Sequence, residues 1–272
     1  MLSELELSKI LDLMSKAALA AGEIILDIYN KPISSTQKQD GSPVTIADKL
    51  AEKVILDILA KTNIPILAEE SASEGNIPEL GSQFFVVDPL DGTKEFIKKN
   101  GEFTVNIALV ENGVPICGII TAPALKQGYI GSKNGAFSFS IINGKAGSFT
   151  PIKSIDTGSI NIVASRSHGN SLLDKLQEKI EVCENISVGS SLKFCLLASG
   201  KARLYPRFTP TCEWDTAAGQ AVLEAAGGVV LTTDTKPLVY GKTDKNFLNP
   251  FFLAAGDEAL GKDVAEKMAF IY

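Results

Sequence analysis

The chain has 272 residues, 45% hydrophobic and 21% charged, an ordinary balance for a soluble globular protein and enough to bury one large core or two modest ones. Its formal net charge of −6 argues against nucleic acid as the main partner, which needs a broad basic surface, but leaves room for a local basic pocket that takes a small anion. The four cysteines (Cys117, Cys183, Cys195, Cys212) form no Cys-x-x-Cys pair and His168 is the only histidine, so a disulfide scaffold and a zinc centre are both disfavoured; oxygen ligands, and with them Mg²⁺ or Mn²⁺, remain.

The N-terminal stretch Met1–Glu6 is acidic and lacks the basic region of a signal peptide. No apolar run reaches the length of a membrane span, so a cytosolic protein with reduced thiols is expected. From about Ser8 to Tyr29 apolar residues recur at helical spacing, and Asn30 and Pro32 stop the helix. A second helix is predicted from Thr45, where Thr45 and Asp48 have capping-box spacing. A short strand, Ile64–Ala68, delivers Glu69-Glu70-Ser71. Next, Phe84–Val87 has the content of a buried strand, which Asp88 and Pro89 are expected to end. Asp91-Gly92 makes a tight turn with Gly92 free to take positive φ, and Thr93–Ile97 begins as a helical turn.

Thr104–Glu111 and Val114–Thr121 form a hairpin across Asn112-Gly113, and Gln127–Ser132 and Ala136–Ile142 continue an antiparallel sheet. The Gly-, Ser- and Thr-rich stretch between Asn143 and Ile160 reads as a boundary, dividing the chain into residues 1–150 and 151–272. The second part alternates strands and helices: Ile160–Ala164, a helix over Ser171–Ile180, Ile186–Val188, a helix over Leu192–Ser199, Ala202–Tyr205, a helix over Asp215–Ala226, Val229–Leu231, Phe251–Ala254 and a last helix, Glu258–Phe270. The expected class is therefore α/β in the broad sense, two helices and a mainly antiparallel sheet followed by an α/β half.

Taken singly, the acids have plain explanations: Asp48 caps a helix, Glu69 and Glu70 leave a strand, Asp91 sits in a turn and Asp215 starts a helix. Glu69, Asp88 and Asp91 all stand at strand ends, however, and small residues (Ala217-Ala218-Gly219) follow Asp215, as though something approaches that helix closely. Acids converging from both halves repel unless cations lie between them, and two Mg²⁺ ions in such a cleft suit phosphate hydrolysis.

Three motifs in register, Glu69-Glu70-Ser71, Asp88-Pro89-Leu90-Asp91-Gly92-Thr93 and Trp214-Asp215-Thr216-Ala217-Ala218-Gly219, resemble the signatures of the inositol monophosphatase superfamily of Mg²⁺-dependent, lithium-sensitive phosphomonoesterases. The resemblance spans nearly the whole chain and implies a layered αβαβα sandwich. It implies metal binding by Glu69, Asp88, the Leu90 carbonyl, Asp91 and Asp215, with two or three Mg²⁺ ions, Mn²⁺ as a substitute and Li⁺ as an inhibitor. It also implies that Asp48 and Thr93 activate the attacking water, with Glu69 counted among the catalytic residues.

Gly189-Ser190-Ser191-Leu192-Lys193-Phe194-Cys195 and Tyr205-Pro206-Arg207-Phe208 further resemble the CysQ-type 3′(2′),5′-bisphosphate nucleotidases, which convert adenosine 3′,5′-bisphosphate to AMP and phosphate; Cys212 departs from that branch's common pattern. Nucleotide contacts are implied at Ser165, His168, Gly189 and Lys193. The 3′-phosphate would then lie over Asp91, Asp215 and the N–H groups of Gly92 and Thr93, with Lys193 or Arg166 taking the 5′-phosphate. Alone, Lys193 reads as a solvated helix lysine and His168 as a surface residue. Two alternatives stay open: an inositol-1-phosphate or sugar bisphosphate phosphatase on the same scaffold, and a non-catalytic phosphonucleotide binder. The resemblance links the chain to sulfate assimilation. Its expected partner is a small phosphorylated nucleotide, and the expected form is a cytoplasmic monomer or homodimer without an integral membrane segment, with peripheral association at the inner membrane face left open.

Overall fold

The structure, a computed structural model, describes residues 2–32, 35–37, 43–155, 157–164 and 171–271. Helix α1 (Glu4–Tyr29) starts earlier than its apolar periodicity, because Ser3 and Glu6 close a capping box ahead of it. A short antiparallel ribbon, β1 (Ser35–Gln37) and β2 (Pro43–Thr45), leads into α2 (Ile46–Leu59), whose capping box pairs Thr45 with Asp48 as the spacing predicts. Strand β3 (Ile66–Ala68) runs directly into α3 (Glu69–Ser73), and β4 (Gln83–Asp91) into α4 (Thr93–Ile97). Then β5 (Thr104–Glu111), β6 (Val114–Ala122), β7 (Gln127–Ser132), β8 (Gly135–Ile142) and β9 (Lys145–Ile152) form a meander. The seven strands β3 to β9 lie side by side in chain order, antiparallel except for the parallel pair β3–β4.

One expectation fails here, and one strand stands where none was expected, each for a physical reason. Strand β4 does not stop at Asp88; a register shift between Asp88 and Asp91 carries the chain past Pro89, so that Asp91 again opposes Thr104. The Gly/Ser/Thr-rich stretch after Asn143 holds the edge strand β9, whose mostly exposed residues lack the apolar alternation that marks a buried strand.

The second half contributes β10 (Asn161–Ala164), α5 (Ser171–Gln177), β11 (Glu184–Ser187), α6 (Leu192–Ala198), β12 (Leu204–Arg207), α7 (Ala217–Ala225), β13 (Val229–Thr232), β14 (Phe252–Ala255) and α8 (Glu258–Ala269). Its sheet has the order β11-β10-β12-β14-β13, parallel through β12 and antiparallel at β14 and β13. The helix expected to start at Asp215 begins instead as a 3₁₀ turn, Glu213–Asp215, ahead of α7.

Three apolar clusters show how the layers stack. Along β4, Phe85 and Val87 face α1 and α2, while Phe84 and Val86 face α6 and α7, the alternation expected of a sheet covered on both sides. In the second sheet Val163, Tyr205, Phe252 and Ala254 point inward to α6 and α7, whereas Ile162, Leu204, Leu253 and Ala255 meet α5 and α8. The order is helices, seven-stranded sheet, helices, five-stranded sheet, helices. That is the αβαβα sandwich. Among the described residues no helix is long and apolar enough to cross a membrane.

Candidate active site

The register shift in β4 turns its end into a platform for carboxylates. Asp88 is 1% exposed, its Oδ1 accepting the Leu90 N–H at 3.0 Å across the bulge. Gly92 then takes φ +90° and starts α4. A Cβ there would meet the Glu102 carbonyl at 3.1 Å and the Ser190 Cβ at 3.3 Å, so the turn is closed by close neighbours as well as by its dihedral. Asp215, on the 3₁₀ turn before α7, arrives from the other half with its Oδ2 held by the Cys212 N–H at 2.8 Å. Asp88, Asp91 and Asp215 each bring a carboxylate oxygen within 4.8 Å of the others.

The electrostatics follow from this crowding. Asp88 is pushed well above the usual carboxylate range, first by burial and then by the charges of Glu69, Asp91 and Asp215. Asp215 rises to about 8 from burial, with Asp91 and Glu69 adding to it and the Cys212 N–H opposing. Glu69 lies outside the tight trio but hydrogen-bonds Asp88. This all-oxygen, all-acidic donor set fits a hard divalent cation, which would relieve the repulsion that otherwise keeps protons on these groups.

A second unit adjoins the acids. The Thr93 hydroxyl donates to Asp48 Oδ1 at 3.1 Å and lies 3.3 Å from the Leu90 carbonyl oxygen. Asp48 Oδ2 accepts both the N–H and the hydroxyl of Thr45 at 2.7 Å, so the capping box orients the carboxylate toward Thr93. Capping and a site role are thus compatible for Asp48. Burial raises its proton affinity, against the pull of these bonds.

Several residues that sequence reasoning overlooked complete the constellation. The Ser191 hydroxyl donates to Asp91 Oδ2 at 2.8 Å and lies 3.0 Å from the Asp215 carbonyl oxygen, and Asn106 donates its amide N–H to Ser191 at 2.9 Å and to Asp91 at 3.3 Å. Ser191 lies inside the quoted Gly-Ser-Ser phrase, but its bond to Asp91 spans 100 positions and nothing local announces it. Beyond the acids a cleft of about 150 Å³ is lined by Gly189, Lys193, Tyr205, Arg207 and Lys94. Lys193 is 5% exposed with its ammonium 2.6 Å from the Ser190 carbonyl, which corrects the plain reading of a solvated lysine. Gly189 is packed so closely that a Cβ would come within 2.8 Å of the Glu102 carbonyl, and its N–H donates to the Glu102 carboxylate at 2.9 Å. Arg207 was legible in the Tyr-Pro-Arg-Phe phrase, though no role was read for it. Ser165, Arg166 and His168 lie outside the described residues.

The small residues after Asp215 have a packing explanation. A Cβ on Gly118 of β6 would lie 2.8 Å from the Ala218 carbonyl, and one on Gly219 2.3 Å from the Phe194 ring. The close approach is that of the sheet and α6.

Residues 6–267 match the model of the inositol monophosphatase family. The chain belongs to that family. Members are metal-dependent phosphatases, and the acidic cluster at the end of β4 can hold a metal ion. A 3′(2′),5′-bisphosphate nucleotidase CysQ of Escherichia coli strain K12 is 43% identical over 246 residues, 89% of this chain and 98% of that protein. Among solved structures, CysQ of Bacteroides thetaiotaomicron, a bacterial member of the family, superposes with a TM-score of 0.76 at 42% identity, covering 89% of this chain and 95% of that one. An inositol monophosphatase from Anabaena (Nostoc) sp. PCC 7120 superposes with a TM-score of 0.75 at 27% identity over 98% of this chain and 97% of its own.

Proposed function

We propose that this member of the inositol monophosphatase family hydrolyses the 3′-phosphate of adenosine 3′,5′-bisphosphate, releasing AMP and phosphate, and that it uses two or three Mg²⁺ ions. The observation that carries the reading is the Asp88–Asp91–Asp215 trio beside the Thr93–Asp48 hydrogen bond. The 43% identity to bisphosphate nucleotidases supports the substrate.

Asp88, Asp91, Asp215, Glu69 and the Leu90 carbonyl would hold the ions. When bound, these supply charge stabilisation to the phosphoryl oxygens and acidify the attacking water. Thr93 positions that water through its hydroxyl oxygen. As a proton leaves the water for Thr93 Oγ1, the Thr93 proton passes to Asp48 Oδ1, where burial favours its uptake. The N–H groups of Gly92 and Thr93, at the start of α4, would donate to the transferred phosphate. Lys193, with Arg207 and Lys94 on the same cleft, supplies positive charge for the distal 5′-phosphate. Ser165, His168 and Gly189 complete the nucleotide contacts. In this reading Mn²⁺ replaces Mg²⁺, Li⁺ inhibits, and the enzyme clears a by-product of sulfate assimilation in the cytoplasm.

The test is phosphate release with Mg²⁺ from adenosine 3′,5′-bisphosphate and inositol 1-phosphate side by side. The nucleotide should be preferred by more than about tenfold. Preference for inositol phosphate would keep the metal site and remove the nucleotide assignment, and release from neither would favour a binding protein. Asp91→Asn should cost more than about a hundredfold in turnover with the fold intact, because a ligand is worth more than the groups that support it.

A further inference from the structure

Asp48 has a neighbour one turn along α2 that the mechanism above does not use. Glu52 is 5% exposed, a buried carboxylate facing α3. Its Oε2 accepts the Glu70 N–H at 2.7 Å, and its Oε1 accepts the Ser71 N–H at 2.9 Å and the Ser71 hydroxyl at 2.5 Å. These donors open α3, a helix of five residues whose own cap position is Ala68, with no side chain able to accept. Free N–H groups at a helix start need an acceptor, and a carboxylate there also meets the favourable end of the peptide dipoles. Glu52 provides from a different helix what the local sequence lacks.

The residue this arrangement fixes is Glu69. It is the first residue of α3, joined to Ala68 at the end of β3, so its direction depends on how the first turn is held. Three hydrogen bonds to one buried carboxylate, on the two residues after Glu69, remove the freedom of that turn. Lys49, also on α2, reaches the far end of α3 through Glu74 at 2.7 Å, but that pair is more than half exposed and contributes little. Asp48 and Glu52, four residues apart on one helical face, thus reach two different parts of the site: Asp48 orients Thr93 and Glu52 orients Glu69.

We infer that Glu52 is a positioning residue for metal binding, acting through the first turn of α3 on Glu69; the inference rests on the metal reading of the site given above. Mn²⁺ binding to the full-length protein, followed by the electron paramagnetic resonance of free Mn²⁺ without substrate, tests it apart from turnover. Glu52→Gln keeps size and one acceptor but loses the charge, and should weaken Mn²⁺ binding by about tenfold, the range for groups that support a ligand. Ser71→Ala removes one of the three bonds and should weaken it less, in the same direction; it also serves if Glu52→Gln fails to fold. Ile55→Val, a buried deletion on the same helix, controls for stability: it should lower the melting temperature and leave Mn²⁺ affinity unchanged. Parental affinity in Glu52→Gln, or an equal loss in Ile55→Val, overturns the role of Glu52 alone. A parent protein that binds no Mn²⁺ overturns the metal reading and this inference with it.

Discussion

Lys193 sits at the start of α6 with its ammonium 2.6 Å from the Ser190 carbonyl and 5.5 Å from the centre of the Tyr205 ring. Burial lowers its pKa from 10.5 to about 8; Asp91 opposes that shift and Arg207 reinforces it. The folded protein therefore holds this proton less tightly than the unfolded chain does. Between about 8 and about 10.5 the unfolded state binds more protons, so this group makes stability rise with pH across that window, and below it the buried charge is a standing cost. Lys193→Met removes the charge while filling the same space. In metal-free protein the parent should gain stability relative to the variant from pH 8 to pH 10, by on the order of 1–3 kcal/mol in denaturant titrations. A difference that stays flat with pH would show that the amine is not desolvated. Under the proposed function a phosphate in the cleft would change the same balance in favour of the proton, so the charge that strains the free protein would be the one that recognises substrate.

Helix α7 follows directly on the 3₁₀ turn that holds Asp215, so that acid is placed only as accurately as α7 is seated. Gly118 on β6 and Gly131 on β7 are paired across the sheet and form a trough beneath it. A Cβ on Gly131 would lie 2.6 Å from the Val222 Cα and 2.8 Å from the Ala221 carbonyl, backbone atoms that yield only if the helix moves. Gly131→Ala should cost about 1–3 kcal/mol in urea unfolding and weaken metal binding as Asp215 shifts. Gly128→Ala on the same strand meets the Phe139 ring instead, in the cluster beneath α1 and α2, and should cost stability while sparing the metal. Gly131→Ala with parental metal affinity would detach Asp215 from the seating of α7. Much of this element scale was legible in advance. Periodicity marked α1, capping-box spacing marked the start of α2, the Asn112-Gly113 pair marked a hairpin, and the Asp-Pro-Leu-Asp-Gly-Thr run marked the acids, because each signal is complete within a short window. The passage of β4 beyond Pro89 was hidden, since a bulge is stabilised by its neighbour strand and not by its own residues. So were Ser191 and Asn106, whose importance exists only once α6 and β5 meet Asp91. Arg207 stood in a quoted phrase, yet only folding shows that it shares a cleft with Lys193.

At the scale of the whole molecule, an acidic protein places further acids where its two halves meet. Without metal, Asp88 and Asp215 hold protons more tightly when folded than unfolded, so their contribution is greatest at low pH and is lost as pH rises through their folded pKa values, about 8 for Asp215. Divalent cations that bind the ionised cluster would add stability that grows as the protons leave, following RT ln(1 + [L]/Kd). Stability in Mg²⁺ minus stability in chelator should be near zero around pH 5 and rise steadily to pH 8, reaching about 2.7 kcal/mol where Mg²⁺ is about a hundredfold above its Kd. Glu224, raised to about 7 by burial, titrates in the same region but forms no part of the metal-ligand set; it acts alike in both conditions and drops out of the difference. Lys193, lowered to about 8, keeps its proton at pH 5 and 6.5 and titrates only at the upper end of the window. Thermal unfolding by calorimetry at pH 5, 6.5 and 8, with Mg²⁺ or with chelator, gives the comparison. A gap of equal size at all three pH values would mean that Mg²⁺ binds elsewhere, and no gap at any of them would mean that the converging acids carry protons and not metal.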